Sequence, residues 1–543
     1  MMFTPLTSAI LLTRIVAAAP TSPTFSLYEP KDGKIMFGAW VDSEDPKASG
    51  NIGLGGDSPV AFNNRLGQNA SVFHMSQSIP LAISPFDGTE MTVPLNLIED
   101  TKTDAILFLT LYPNQTATNS WDLIKDSDLL KLAYQLDNIT HPTKSARRVL
   151  VRYAPEFNGN WFAYGQQPTR FIKEWIRLVT AVRSVTKRVG FVWSPNAGNN
   201  YPFGDNFLPN YELATLDTNG DGALTIMDDP FTPYYPGDDF VDWFGMSVYW
   251  KGDPTTQYPL HDNSVPPANY WEQIVQNTDA TGNPAFPFYS MFPQKHNKPL
   301  VMSEGGSAFA LTQQGDNTPL AAGVGQVAFE QGFWQSYLNT DFFAKFPKAK
   351  MFINFEFEKV HEDPAPGQAN GITRDYRITQ NPDVLAAFRA DIKALSTSMQ
   401  WSAHFSSGLD PLSIGGGTSS AFGNANSAGG ATNGLGGSTA SGSGINGDVA
   451  SDTSSDGSSS SSTSKTGAIA GGVIGGLIVV VGAGGIINYF MNKRKEEQEE
   501  AERVRLQSEM EKAEAAAAAT STPAVSDTDT GASESQQFLS ASS

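Results

Sequence analysis

The stretch Arg148-Val149-Leu150-Val151-Arg152-Tyr153-Ala154-Pro155-Glu156-Phe157-Asn158-Gly159 decides the fold. It is a short apolar run that closes on a proline, a glutamate and a glycine turn. A run of that length bounded by turn residues reads as a strand buried on both faces. Seven more such runs flank it, at 34–41, 73–81 and 104–112 before it and at 188–195, 241–250, 299–304 and 351–358 after it. Helical periodicity lies between several of them, at 122–136, 168–186 and 324–338. A last helix is expected at 384–395, just after Pro382. Strands alternating with helices imply a parallel sheet, and eight such units predict an α/β chain folded as a (β/α)8 barrel. An open doubly wound sheet would show a Gly-rich phosphate turn after its first strand, and none occurs here.

Chemistry in such barrels sits at the C-terminal ends of the strands. The fourth run ends on Glu156 and the seventh on Glu304. A glutamate at the end of an apolar strand is costly unless it is paired or functional. Two such carboxyl groups facing each other across a barrel mouth are what glycoside hydrolysis requires. One protonates the leaving oxygen and, in a retaining enzyme, the other attacks the anomeric carbon. Arg152 shares strand parity with Glu156, so it is expected to point inward and tune the pair. Glu356 and Glu358, at the end of the eighth run, are rival carboxylates, and Lys359 could neutralise either. Trp161, Phe162, Trp193 and Trp250 are candidate platforms for a pyranose ring.

Four segments in order carry a resemblance. They are Val151 to Phe162; Phe191-Val192-Trp193-Ser194-Pro195-Asn196; Tyr235-Pro236-Gly237-Asp238 with Val241 to Tyr249; and Lys298-Pro299-Leu300-Val301-Met302-Ser303-Glu304. Together they resemble glycoside hydrolase family 26, the family of many β-mannanases, over roughly residues 34–395. The resemblance implies a retaining barrel with Glu156 as acid/base and Glu304 as nucleophile. It implies that Tyr249 orients the nucleophile, and that Arg152, Asn158, Trp161, Trp193, Tyr249 and Trp250 line the substrate site. The family usually has His before the acid/base, where this chain has Pro155, so a glycoside hydrolase is better supported than a mannanase. The resulting expectation is a retaining, endo-acting hydrolase of a β-linked polysaccharide with no catalytic cofactor. Mannan is the first guess. The alternatives are a tethered carbohydrate-binding protein without turnover and a wall-remodelling transglycosylase that uses the same residues.

A second motif stands apart from the family. Asp217-Thr218-Asn219-Gly220-Asp221-Gly222-Ala223-Leu224-Thr225-Ile226-Met227-Asp228 fits a 12-residue calcium loop. Oxygen ligands would come from Asp217, Asn219, Asp221, the Ala223 carbonyl and Asp228. A structural Ca2+ is therefore expected, in the insertion before the sixth strand.

The net charge of −20 disfavours nucleic acid, whose binding needs clustered Lys and Arg, and suits a neutral polymer. There is no cysteine, so no disulfide staples the fold, and a barrel of this size needs none. The ends read differently from the barrel, which is expected at 25–400. Residues 1–19 read as a signal peptide, apolar with small residues at their end, although Arg14 interrupts the run. Sequons at Asn69, Asn114 and Asn138 agree with export. Residues 402–465 are mostly Ser, Gly, Ala, Thr and Asn, a linker that cannot bury enough apolar surface to order itself. Residues 467–487 carry no charge and would span roughly 30 Å as a helix. Lys493-Arg494-Lys495 follows and marks the cytoplasmic side, so 493–543 is expected to be an internal tail. The expected whole is a single-pass type I protein of the cell membrane, of the fungal surface type, with its barrel outside.

Overall fold

The computed structural model describes residues 26–44, 53–84, 88–199, 201–204, 206–253, 262–278, 286–313, 319–320, 322–361 and 371–405. The expected signal peptide, most of the linker, the expected span and the tail lie outside the described residues. Among the described residues no helix is long and apolar enough to cross a membrane.

In chain order the strands are β1 (Met36–Val41), β2 (Val72–Ser78), β3 (Ile106–Tyr112), β4 (Val149–Tyr153), β5 (Val189–Trp193), β6 (Trp243–Trp250), β7 (Leu300–Ser307), β8 (Phe309–Gln313), β9 (Ala349–Glu356), β10 (Glu358–His361) and β11 (Ile372–Asp375). The helices are α1 (Pro59–Leu66), α2 (Leu95–Glu99), α3 (Asp126–Thr140), α4 (Pro168–Val185), α5 (Leu213–Leu216), α6 (Tyr270–Gln276), α7 (Gln326–Gln335), α8 (Thr340–Lys345) and α9 (Pro382–Ala394). Strands β1 to β7 and β9 pair in parallel and close into a barrel. All eight expected strands are present, each within a few residues of its expected bounds. The remaining strands form a separate antiparallel sheet, in the order β10-β11-β8, which the sequence reading did not anticipate.

Local chemistry explains several boundaries. Helix α1 opens on Ser58, whose hydroxyl accepts the Ala61 amide at 3.1 Å, with Pro59 at its first position. Helix α9 opens the same way on Asn381 and Pro382. The helix expected at 122–136 starts later, because Ser120–Leu123 winds as a separate 3-10 turn. The barrel also runs past its expected end. The Asp104 amide donates to the Ala403 carbonyl at 3.0 Å, and the Arg147 guanidinium lies 5.5 Å from the centre of the Phe405 ring. Residues 402–405 therefore belong to the folded domain, not to the linker.

Met36, Val72, Ile106, Phe108, Leu150, Val192, Trp243, Val301, Met351 and Ile353 fill the barrel interior. Tyr28 packs against them, and its hydroxyl donates to the Arg188 carbonyl at 2.6 Å, at the start of β5. A second, larger apolar layer joins the outer strand faces to the helices. With the interior filled by apolar side chains, polar groups on the inward faces collect toward the C-terminal mouth.

Candidate active site

Strand β4 ends at Tyr153, and the chain then turns through Ala154 (φ 44°) and Glu156 (φ 55°). Both lie in the left-handed region, which a non-glycine residue holds only where its surroundings enforce it. The Glu156 amide is fixed by the Ser194 carbonyl at 3.0 Å, just past the end of β5. Arg152 and Glu156 thus share the site through a strained turn, not through the strand parity expected from sequence.

Glu304 reaches the mouth by another device. In the β6/β7 pairing Met246 opposes Met302, but Ser247 opposes Glu304, so Ser303 is an extra residue in β7. Simple alternation would turn Val301 and Ser303 inward and Glu304 outward. The bulge resets the alternation and puts Glu304 beside the inward Ser247. Gly245 leaves room for this, since a Cβ there would sit 2.3 Å from Ser303 Oγ.

The buried Arg152 guanidinium organises the floor. Its Nη1 donates to Glu304 Oε2 at 2.5 Å, its Nη2 to Ser247 Oγ at 2.5 Å and its Nε to Ser194 Oγ at 3.1 Å. Ser194 Oγ in turn donates to Ser303 Oγ at 3.0 Å. The Tyr249 hydroxyl donates to Glu304 Oε1 at 3.0 Å. Burial works against the Arg152 charge, but Glu304, Tyr112 and Glu156 outweigh it and raise its pKa. Each oxygen of Glu304 therefore meets a donor.

Glu156 sits in a different setting. The Trp161 indole N–H donates to its Oε2 at 2.8 Å. Burial, and then the charge of Glu304, push its pKa up to about 7, against the pull of Arg152, Ser247 and Trp161. Tyr112 and Tyr249 are held neutral, their phenols pushed well up first by burial and next by Glu304. Tyr112, Ser194, Ser247 and Ser303 escaped the sequence reading. Inward parity at the strand ends would have picked out Ser194 and Ser247, but nothing in the sequence marks the bulge that brings in Ser303.

The other expected substrate residues divide sharply. Trp161 is half-buried, edge-on to Phe203 at 5.1 Å, and stays a candidate platform. Trp193 is fully buried, stacked on Phe288 at 6.2 Å, with its N–H donated to the Tyr234 carbonyl. Trp250 donates to the Ser264 carbonyl at 2.7 Å and packs edge-on to Tyr270. Phe162 stacks on Tyr164 within the outer apolar layer. These three are core residues and offer no free ring face to a sugar. Asn158 is also buried; its amide clips the Asn196 backbone from both sides, at 3.0 and 2.8 Å, and locks the β4 and β5 ends together. The three nitrogens of the buried Arg152 guanidinium are already engaged by Ser194, Glu304 and Ser247, so it positions Glu304 instead of meeting substrate.

The rival carboxylates are spent on structure. Glu356 accepts from the Thr379 amide and hydroxyl, the Ile378 amide and the Asn354 side chain. Glu358 pairs with Arg377, not with Lys359. In the expected calcium loop, Asp217 accepts the amides of Gly220, Asp221 and Gly222. Asp228 is buried and accepts the amides of Thr218, Asn219 and Thr225. Both end carboxylates thus close the loop through backbone amides, Asp228 from its buried side, while Asn219, Asp221 and the Ala223 carbonyl lie nearer the surface. Among the described residues no group of three or more His, Cys, Asp or Glu side chains is gathered to hold a metal ion.

No protein-family model matches the chain, and no curated protein matches it. Solved structures do resemble the fold. An endo-β-1,4-mannanase of Cellulomonas fimi, a double mutant, is similar at 14% identity over 70% of this chain and 74% of its own, with a TM-score of 0.42. A family 26 β-mannanase of Bacteroides ovatus is similar at 14% identity over 68% and 90%, with a TM-score of 0.38. A Bacillus subtilis mannanase is similar at 15% identity over 60% and 81%, with a TM-score of 0.34. Likenesses this distant leave function to be decided by the side chains of this chain.

Proposed function

We propose that the barrel is a retaining glycosidase that cuts within a β-linked polysaccharide, with mannan as the first substrate to try. The observation that carries this is the unequal treatment of two buried carboxylates in one mouth. Glu304 is held by a guanidinium and a phenol, whereas Glu156 is pushed up to about 7. A carboxyl group held protonated beside one whose two oxygens are engaged by donors divides the pair into an acid and a nucleophile. Glu156 gives its proton to the leaving oxygen as Glu304 attacks the anomeric carbon and forms a glycosyl ester. Water then attacks the same carbon, yields its proton to Glu156 and frees Glu304. Arg152 and Tyr249 fix the direction of attack, and Trp161 both holds Glu156 through its N–H and offers a ring face to the sugar. The same reading displays the barrel outside the cell on a span at 467–487.

Substitution separates the roles. Glu156→Ala should cost about 10²- to 10⁴-fold on polysaccharide but little on the first step with an activated aryl leaving group. Azide should then rescue turnover of the aryl substrate with retained configuration. In Glu304→Ala azide should give the inverted product. Wild-type activity in both variants would end the assignment. Binding of one polysaccharide by a parent that cleaves none would replace it with a binding protein.

A further inference from the structure

The β10-β11-β8 sheet leans against the barrel next to the Glu304 strand, and it delivers one side chain that the mechanism above does not use. Tyr376 follows β11 directly and is fully buried. Its amide donates to the Phe357 carbonyl at 2.9 Å, and its own carbonyl accepts from Asn354 Nδ2 at 3.2 Å, so its backbone is tied to the end of β9. Its hydroxyl shares a 2.5 Å hydrogen bond with His361 Nε2, on β10. Its ring meets the Tyr249 ring edge-on at 5.7 Å and the Phe355 ring at 5.2 Å. It also covers Gly306, where a Cβ would come 3.3 Å from the Tyr376 ring. Gly306 lies two residues past Glu304. Tyr376 therefore touches both the residue that holds the nucleophile and the strand that carries it.

We propose that Tyr376, fixed by His361, is the positioning residue that aims the Tyr249 hydroxyl at Glu304. This rests on the glycosidase reading. A phenol that must hold a nucleophile within a few tenths of an ångström needs its ring locked by packing and by a second hydrogen-bonded partner. Tyr249 is held on its backbone by the Tyr270 hydroxyl, which donates to the Tyr249 carbonyl at 2.7 Å, and on its ring by Phe355 and Tyr376. Phe355 is part of the barrel strand itself. Tyr376 is the contact contributed by the added sheet. Buried and faced by Lys251, Lys359 and Arg374, His361 stays neutral and so presents one ring nitrogen as donor and the other as acceptor. The Tyr376 hydroxyl is engaged by His361 and its ring by Tyr249 and Phe355, so its effect on chemistry passes through Tyr249.

The test uses the barrel and 2-deoxy-2-fluoroglycosyl fluorides of the manno, gluco and xylo series. Glu304 displaces fluoride from the anomeric carbon, a C–O bond replaces the C–F bond, and the labelled peptide is identified by mass. The sugar that labels the parent is then used on the variants. Tyr376→Leu should lower the inactivation rate constant about 10- to 100-fold while the inactivator's apparent affinity stays within about threefold. Tyr376→Phe, which keeps the ring and loses the bond to His361, should lower it about 3- to 10-fold, and it carries the test if the leucine variant does not fold. In a Tyr249→Phe background either change should add less than about twofold, because residues acting through one another are not additive. Full additivity, or parent-like labelling of both Tyr376 variants, would overturn this role and leave the glycosidase intact. A parent that neither cleaves a glycan nor takes label at Glu304 removes the glycosidase reading and this role with it.

Discussion

Glu156 is buried beside a second carboxylate, and both conditions favour its neutral form. Its pKa, raised to about 7, means that it is protonated below that value and loses its acid proton as pH rises through it. The alkaline limb of kcat/KM on an unactivated oligosaccharide should therefore fall near pH 7. Trp161 works against the shift, because its indole N–H stabilises the charged form. Trp161→Phe keeps a ring but removes the donor. Glu156 should then hold its proton to higher pH, and the alkaline limb should move up by about one unit. A limb that stays in place, or moves down, would mean that Glu156 is not the group being titrated.

The elements were legible where hydrophobic period and length coincide. All eight barrel strands could be read from runs such as Val149–Tyr153, α4 from its helical period and α9 from Pro382 at its first turn. Glu156 and Glu304 were legible because a carboxylate after an apolar strand is out of place. What escaped depends on register and packing, which a one-dimensional pattern does not carry. The extra residue Ser303 looks like any strand residue until its pairing with β6 is known. Trp193 and Trp250 look like platforms until packing turns them outward into the helix layer. Strands β8, β10 and β11 are too short and too polar to stand out from loops. The loop at 217–228 is the element whose proposed ligand is open to direct trial. If Ca2+ is held by Asp217, Asn219, Asp221, the Ala223 carbonyl and Asp228, a chelator should lower the melting temperature of the protein, since a ligand bound only by the folded state stabilises it by mass action. Asp217→Ala should abolish that response. Melting curves insensitive to both treatments would leave the loop as a turn closed by the amide contacts of Asp217 and Asp228.

On the scale of the whole molecule, the chain combines an acidic folded part with a long polar stretch, an uncharged run and a basic cluster. The barrel draws on its own residues as far as Phe405, whose amide donates to the Lys102 carbonyl at 3.0 Å. Everything needed for the proposed chemistry lies before that point, so the C-terminal part can serve placement without touching catalysis. A Ser/Gly-rich stretch of this length has an unperturbed end-to-end reach of about 45 Å, enough for a tethered barrel to sample polymer near a surface. If 467–487 spans the membrane with Lys493-Arg494-Lys495 inside, the full-length protein should sediment with membranes and resist extraction by high salt or alkali. A chain stopped near Thr463 should be released to the medium with its Glu156 and Glu304 activity unchanged. Proteases added outside intact cells should cut the linker and free the barrel while sparing a tag placed after residue 495. Uncleaved full-length protein in the soluble fraction, or a C-terminal tag digested from outside, would refute the topology without affecting the assignment of the two glutamates.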